Sequence, residues 1–446
     1  MRYPTRTATA AAVVVCVLSA GAVPAGAASG ERRDGRGTYY VSASGSDAND
    51  GRSPRSPFRT IQHAADLTRP GDTVQIMNGT YRDTSNEGVV MVRNSGTAGA
   101  PITYTNYRNH RPKIAPVTGW NGIVLIGASH IVIDDLEIEG NARNLTLEDA
   151  TAKADPRKPA YNQNCVVARE GADKLPWSHV TFRNIHAHDC PGGGIATTGG
   201  DYITIEDNLV HSNANYAVYA NSGISVLAPE AVDESREIKV SIQRNVVHDN
   251  ESKVKWVVCG CISDGNGIII DTTIHPDTSG GVYTGRSLIA NNISFDNGGS
   301  GIHAYKSADV DIVNNTTYLN SRSPALSYPN VGAWGSKDVR VLNNISVARP
   351  GKETNFAHDN VNVVYDYNVY WGGLKPRTAG PHDLIADPLL RNPGTDPETA
   401  DFRIERGSPA GDSGTRFDEV GRDFTGKRRP QGPAYDRGAF ELRGRH

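Results

Sequence analysis

Three methionines and eight phenylalanines are a thin supply for a chain of 446 residues. Helical bundles draw on just such unbranched and aromatic side chains to fill the gaps between helices, so a packed helical core is a poor fit. Neither sign of charge dominates. The formal charge is −3, and it becomes about −5 if Arg2 and Arg6 leave with a leader. No basic stripe exists, which argues against nucleic acid as a partner. Cysteine is scarce, at five, and no Cys/His cluster has a zinc-binding spacing.

Long apolar runs are scarce too. The most prominent, Ala8 to Val23, follows Arg2 and Arg6 and precedes the small residues Ala25-Gly26-Ala27. That order is a secretory leader over residues 1–28, too short for a membrane span. A soluble, exported chain without a membrane partner is expected. Four cysteines then remain: Cys165, Cys190, Cys259 and Cys261. Cys165 and Cys190 stand about one repeat apart and suit a bridge. Cys259 and Cys261 stand too close for a relaxed one.

Glycine and asparagine are plentiful instead, and they fall in a ladder. "VTFRNIHAHDC" (180–190), "ITIEDNLVHSN" (203–213), "VSIQRNVVHDN" (240–250), "LIANNISFDN" (288–297), "VDIVNNTTYLN" (310–320) and "VRVLNNISVAR" (339–349) share one plan. Each is a period-two strand, an Asn and a second short strand. The Asn positions are Asn184, Asn208, Asn245, Asn292, Asn315 and Asn344, spaced by 24, 37, 47, 23 and 29 residues. Repeats of this size mark a solenoid. Strands without helices at this period predict an all-β, right-handed parallel β-helix, with stacked Asn amides bonding from coil to coil. The sequons at Asn292, Asn315 and Asn344 are then interior positions. "RTIQHAADLTRPGDTVQI" (59–76) reads as a capping helix, a Pro-Gly turn and a strand. One domain is expected over 38–446: an opening segment at 38–83, coils over about 100–375, and a closing segment from 387.

The stretch "YYVSASGSDANDGRSPRSPFRTIQHAADLTRPGDTVQIMNGTYRD" (39–83), with "GSPAGDSG" (407–414) and "YDRGAFE" (435–441), resembles secreted right-handed parallel β-helix proteins. Many of those are polysaccharide lyases or relatives of them, notably the family 9 lyases. The resemblance implies cleavage of a uronate-containing polysaccharide by β-elimination, with a lysine base and a calcium held by aspartates. Aligned on "GNGIII" (265–270), the lysine position falls on Ile269, and the aspartate cluster falls on "SGIS" (222–225). Neither carries over. Calcium therefore stays a possible cofactor, with no other cofactor implied. "SDANDG" (46–51) offers Asp47, Asn49 and Asp50 either as ligands or as an ordinary turn.

The ladder also sets a register. Counting back from it puts Val166, Ile195, Ile224, Ile268, Ile302 and Val331 inward. One outward column then reads Val167, Ala196, Ser225, Ile269, His303, Gly332. The next reads Arg169, Thr198, Leu227, Asp271, Tyr305, Trp334. The candidate catalytic residues are Asp271, His303, Tyr305 and Lys306. Arg169, Trp334, Asp264 and His275 are candidates for holding substrate. Asp271 with His303 would make an acid/base pair, the rings would stack on sugars, and Lys306 or Arg169 would meet a uronate carboxylate. Lys253 and Lys255, in the long insert "ESKVKWVVCGCISDGNG" (251–267), are further bases. A hydrolase would instead use two carboxylates among Asp264, Asp271, Glu230 and Glu234. The same residues also fit turn caps and a coil-stabilising aromatic stack, so a monomeric glycan-binding protein is the third reading. His186, His188, His211 and His248 recur after the ladder strand and are assigned to the stack.

Overall fold

Alternating burial governs the strands. Asp201–Glu206 buries every second side chain, as does Ile131–Asp134, which is the period of a pleated strand with one face on a core. In the computed structural model, residues 36–83, 85–274 and 282–442 are described. The leader over 1–28 and His275 lie outside them. Three long, wholly parallel sheets run through the molecule. The first holds eleven strands, from Thr38–Val41 to Val364–Asp366, and the second nine, from Gly88–Val92 to Asn355–His358. The third holds eleven, from Gly79–Tyr81 to Leu384–Ile385. One turn of chain visits all three, as Ile195–Thr198, Asp201–Glu206 and Leu209–His211 do in succession. This is a parallel β-helix, with one apolar core running from Tyr39 to Tyr370. The opening segment already contributes strands to the sheets, so the coils begin earlier than residue 100. Among the described residues, no helix is long and apolar enough to cross a membrane.

The Asn ladder is present, with one correction. Each side chain of Asn208, Asn245, Asn292 and Asn315 donates to the Oδ1 of the next rung at 2.8–3.0 Å, and Asn344 passes the chain on to Asn368. Their backbone N–H groups use the same acceptors, so every amide is satisfied in the interior. Asn184 is not a member. It is exposed, donates to Asp134, and sits at φ 52°. The ladder position on that rung is Ile185, whose N–H donates to Asn208. The residue just before the ladder turns the corner in the left-handed region on every rung, as Asp207, Arg244, Asn291 and Asn314 do. Asparagine tolerates that conformation well, which is why Asn184 mimics a rung while occupying the corner.

A second ladder runs five residues on. Asn213, Asn250 and Asn297 donate up the stack at 2.8–3.0 Å to end on Asn320. Between the ladders lie the third-sheet strands, on whose outer side the imidazoles of His186, His188, His211 and His248 stack, and Phe295 continues the pile.

At the N-terminal end the expected helix is Ile61–Leu67, capped by Thr60, which accepts from the His63 N–H. Gln62 and Asn94 tie it to the first rung of the second sheet. At the other end, the closing segment folds back along the coils. There Arg429 and Glu441 form a fully buried pair at 2.7 Å, and the corner residues Asn291, Asn314 and Asn343 donate to carbonyls of the segment.

Candidate functional site

The second sheet carries the expected columns. Ser225, Ile269, His303 and Gly332 are register partners, and so are Leu227, Asp271, Tyr305 and Trp334. Asp271 therefore faces outward, roughly 4.8 Å from its neighbours on the rungs either side. Above this face lies a cavity of about 610 Å³. Ile269, Asp271, His303, Tyr305 and Trp334 form its floor. Its walls come from Tyr219 and Asn221, from Trp256 and Asp264 in the long insert, and from Tyr328 and Pro329.

Asp264 reaches the cavity through local backbone geometry. Asp264 and Gly265 both take positive φ, at 62° and 69°, which makes a sharp reversal just before the strand Ile268–Asp271. Only glycine suits the second position, because a Cβ there would lie 2.5 Å from the Ser252 nitrogen. The Asp264 carboxylate accepts from Ser263 Oγ and Asn266 Nδ2, each at 2.8 Å. Ser263 stands 3.5 Å from the hydroxyl of Tyr328. Burial pushes the Asp264 carboxyl up to about 6, and the charge of Asp271 adds to this against the two hydrogen bonds.

Asp271 is also raised by burial, but less so. Thr272 donates to it at 2.6 Å, and the Lys306 ammonium favours its charged form. Among the described residues, Lys306 is the one Lys or Arg lining the cavity, and its Nζ lies 5.2 Å from the Tyr305 ring centre. Tyr305 meets Trp334 edge to face at 5.7 Å, and Trp334, still 36% exposed, leans on Phe356 at 5.4 Å. These rings present flat apolar surface with polar edges. His303 is only 8% exposed, and its Nδ1 has no hydrogen-bond partner among the described residues. Burial draws its pKa down to about 4, so it is neutral and a weak base at neutral pH. The buried Oδ1 of Asn221, on the cavity wall, is likewise unpartnered.

Six of the eight candidates thus converge: Asp264, Asp271, His303, Tyr305, Lys306 and Trp334. Arg169 does not. It stands three rungs from Asp271 on the same column and pairs with Glu87 at 3.3 Å. Lys253 and Lys255 are exposed and line no part of the cavity, and Glu230 and Glu234 are absent from it. In the 46–51 loop, Asp47 accepts from the Arg59 and Thr60 N–H groups, and Asp50 from that of Arg52.

Sequence reasoning missed Tyr219, Trp256 and Tyr328, which belong to irregular segments with no repeat to index them. It also mistook Cys259 and Cys261. They are bridged, because Gly260 at φ 63° folds the tripeptide so that the Cα atoms stand 5.2 Å apart, within ordinary reach. That small ring holds Trp256, whose N–H donates to the Cys261 carbonyl at 2.9 Å. Cys165 and Cys190 form the other bridge, buried in the core.

Fold and cavity together define a β-helix with a recessed site on one sheet. Residues 39–165 match the family model for the Pel9A-like, right handed beta helix region, a stretch that stops short of the cavity. The uncharacterized protein YwoF of Bacillus subtilis (strain 168) is 38% identical over 126 residues, or 27% of this chain and 25% of that protein. The match thus spans about a quarter of the relative's length. Among solved structures, pectate lyase Pel9A superposes with a TM-score of 0.54 at 17% identity, over 92% of this chain and 96% of that one. The GH136 lacto-N-biosidase from Eubacterium ramulus gives 0.44 at 18% identity, over 75% and 56%. The protein is a right-handed parallel β-helix similar in fold to pectate lyase Pel9A.

Proposed function

We propose that the protein is an exported, monomeric enzyme that hydrolyses a glycosidic bond of a polysaccharide, with Asp264 as general acid and Asp271 as the ionised carboxylate. One observation carries this reading: two carboxyl groups share one aromatic-walled cavity, both raised by burial, with Lys306 and Thr272 favouring the charged form of Asp271 alone. Asp264, held near 6, keeps up to about that pH a proton that it can give to the departing sugar oxygen. Asp271, drawn back by Thr272 and Lys306, faces the anomeric carbon or the water that attacks it. Trp334, Tyr305 and Tyr219 hold the sugar rings. The neutral His303 and the Asn221 carbonyl bond its hydroxyls, which supplies the partners those buried atoms lack.

β-Elimination is the second reading, favoured by Lys306 beside Tyr305: the ammonium would hold a uronate carboxylate and the phenol would exchange the proton. Calcium dependence belongs to this reading. Purified protein is assayed on neutral and acidic polysaccharides, with and without chelator, for reducing ends and for the ultraviolet absorbance of an unsaturated uronate. Reducing ends without that absorbance support hydrolysis. Both together establish elimination in its place, and silence on a broad panel leaves the aromatic cavity as a binding site.

A further inference from the structure

The outer side of the third sheet holds a second concentration of chemistry, remote in the fold from the cavity on the second sheet. His186 and His188 lie on the strand His186–His188, and His211 is the register partner of His188 on the next rung. One ring nitrogen from each falls within 4.8 Å of the other two. The Nε2 atoms of His186 and His211 are already 2.8 Å apart. We propose that His186, His188 and His211 form a binding site for a divalent transition ion of the zinc class, clamping two adjacent rungs together.

The hydrogen bonds of the Nδ1 atoms argue for this beyond the closeness of the rings, which stack at 4.2 Å (His186 with His188) and 5.1 Å (His188 with His211) and turn to aim at one ion. His188 Nδ1 lies 2.6 Å from Asp189, and His211 Nδ1 lies 3.0 Å from the Ser212 hydroxyl. Asp189 accepts the Nδ1 proton of His188, and the Ser212 hydroxyl is able to accept that of His211, which turns the Nε2 lone pairs to the ion once His188 gives up its contact with Glu137. This is the arrangement that fixes ring and tautomer in histidine-ligated metals. Asp189 is also held by Arg143 at 2.8 Å, so it serves to orient His188 and not to ligate. A tetrahedral zinc with bonds of about 2.0–2.1 Å needs nitrogens about 3.3 Å apart. His186 and His211 open slightly to reach this, and His188 moves in by a ring rotation.

The protons balance. With His186 and His211 neutral, one N–H lies between the two facing Nε2 atoms. On coordination that proton moves from Nε2 to Nδ1 of His186, and a proton shared between His188 Nε2 and Glu137 passes to the Glu137 carboxylate or to solvent. Glu137 lies 3.4 Å from His188 Nε2 and is itself paired with Lys113 at 3.1 Å. The fourth position opens towards a cavity of about 640 Å³ between the imidazole stack and the closing segment, lined by His186, His211 and Phe402. That cavity is the ion's route in. Sequence spacing hides the site, because the ligands come from different rungs.

The test is calorimetric titration of ZnCl2 into chelator-stripped protein that carries no histidine tag, with a thermal melt beside it. One equivalent bound per chain and a higher Tm are expected. His186→Ala and His211→Ala each weaken binding at least about tenfold, with their metal-free Tm close to the parent's. His248→Ala, which alters the stack but not the trio, leaves binding unchanged. Absence of stoichiometric binding, or equal binding by the variants, overturns the proposal and makes the histidines a stack only. Should a variant fail to fold, X-ray absorption on the zinc-loaded parent decides: three imidazole nitrogens support the site, and an oxygen-dominated shell overturns it.

Discussion

The carboxyl of Asp264 feels the charge of Asp271 across the cavity, on top of the burial that already favours its protonated form, whereas Lys306 steadies the ionised form of Asp271. Burial raises both carboxyls, and the neighbouring charges act in opposite directions on the two. The acid form of Asp264 predominates below about pH 6 and is lost above it. The profile of kcat/KM against pH should therefore fall on its alkaline side with a midpoint near 6. Asp264→Asn should abolish that limb and lower kcat by about 10²–10⁴-fold. Initial rates across pH, on the substrate the polysaccharide panel identifies, check both.

The same group should cost stability. Its folded pKa of about 6 exceeds the ordinary 3.8, so the native state holds the proton more tightly than the unfolded chain does. The stabilisation is complete below the unfolded value and is lost as pH rises through about 6. Asp264→Asn keeps a neutral side chain throughout, and asparagine accepts the positive φ. The variant should melt higher than the parent at about pH 7.5, by the equivalent of ~1–2 kcal/mol, and should lose that advantage at about pH 4. Calorimetric melts at the two pH values give the answer.

Under the proposed hydrolysis, Trp334 serves binding and not the chemical step. Its ring touches Tyr305 and Phe356 and leaves a flat face to the cavity. Trp334→Ala should raise KM about tenfold, equivalent to ~1.4 kcal/mol, with kcat little changed. A matched fall in kcat would place the ring at the reacting bond instead.

Asn315 tests the ladder. Its Oδ1 accepts from the side chain and backbone of Asn292, and its Nδ2 donates to Asn344 and to the Ile289 and Val313 carbonyls. Asn315→Ala strands several buried groups at once. A loss of about 2–5 kcal/mol in urea unfolding is expected, against almost nothing for Asn184→Ala at the exposed corner.

The two disulfides should separate stability from function. Replacing Cys165 and Cys190 by alanine opens a loop of 25 residues inside the core and should cost about 3 kcal/mol. Replacing Cys259 and Cys261 by serine opens a ring two residues apart, worth about 1.5 kcal/mol at most. It loosens Trp256 on the cavity wall, so KM should rise while Tm hardly moves.

What could be read from the sequence was whatever the repeat indexes. A period-two strand followed by Asn fixes rung, column and direction. That is why Asp271, Tyr305 and Trp334 could be stacked by counting, and why the side chains inward of them were identifiable. Asn184 misled because the corner and ladder positions are adjacent and both suit asparagine. The cavity's walls were illegible for a different reason. Tyr219, Trp256 and Tyr328 lie in segments that answer to no period, and their meeting over Asp271 depends on how three loops lean on one another. Even Asp264 was legible as a carboxylate near the strand, but its retained proton comes from the burial those loops create.

The intervals along the ladder carry a last consequence. Asn245 to Asn292 takes 47 residues and Asn292 to Asn315 takes 23, yet the amides meet at 2.9 and 3.0 Å. Vertical position is therefore independent of contour length. A coil can lengthen its excursion without disturbing the coils above and below, so the floor of the site is positioned by the rungs and its walls by the excursions. In such an architecture a change of pocket shape is a matter of editing one detour, and the place for that edit is the part of the insert that carries Trp256, short of Asp264.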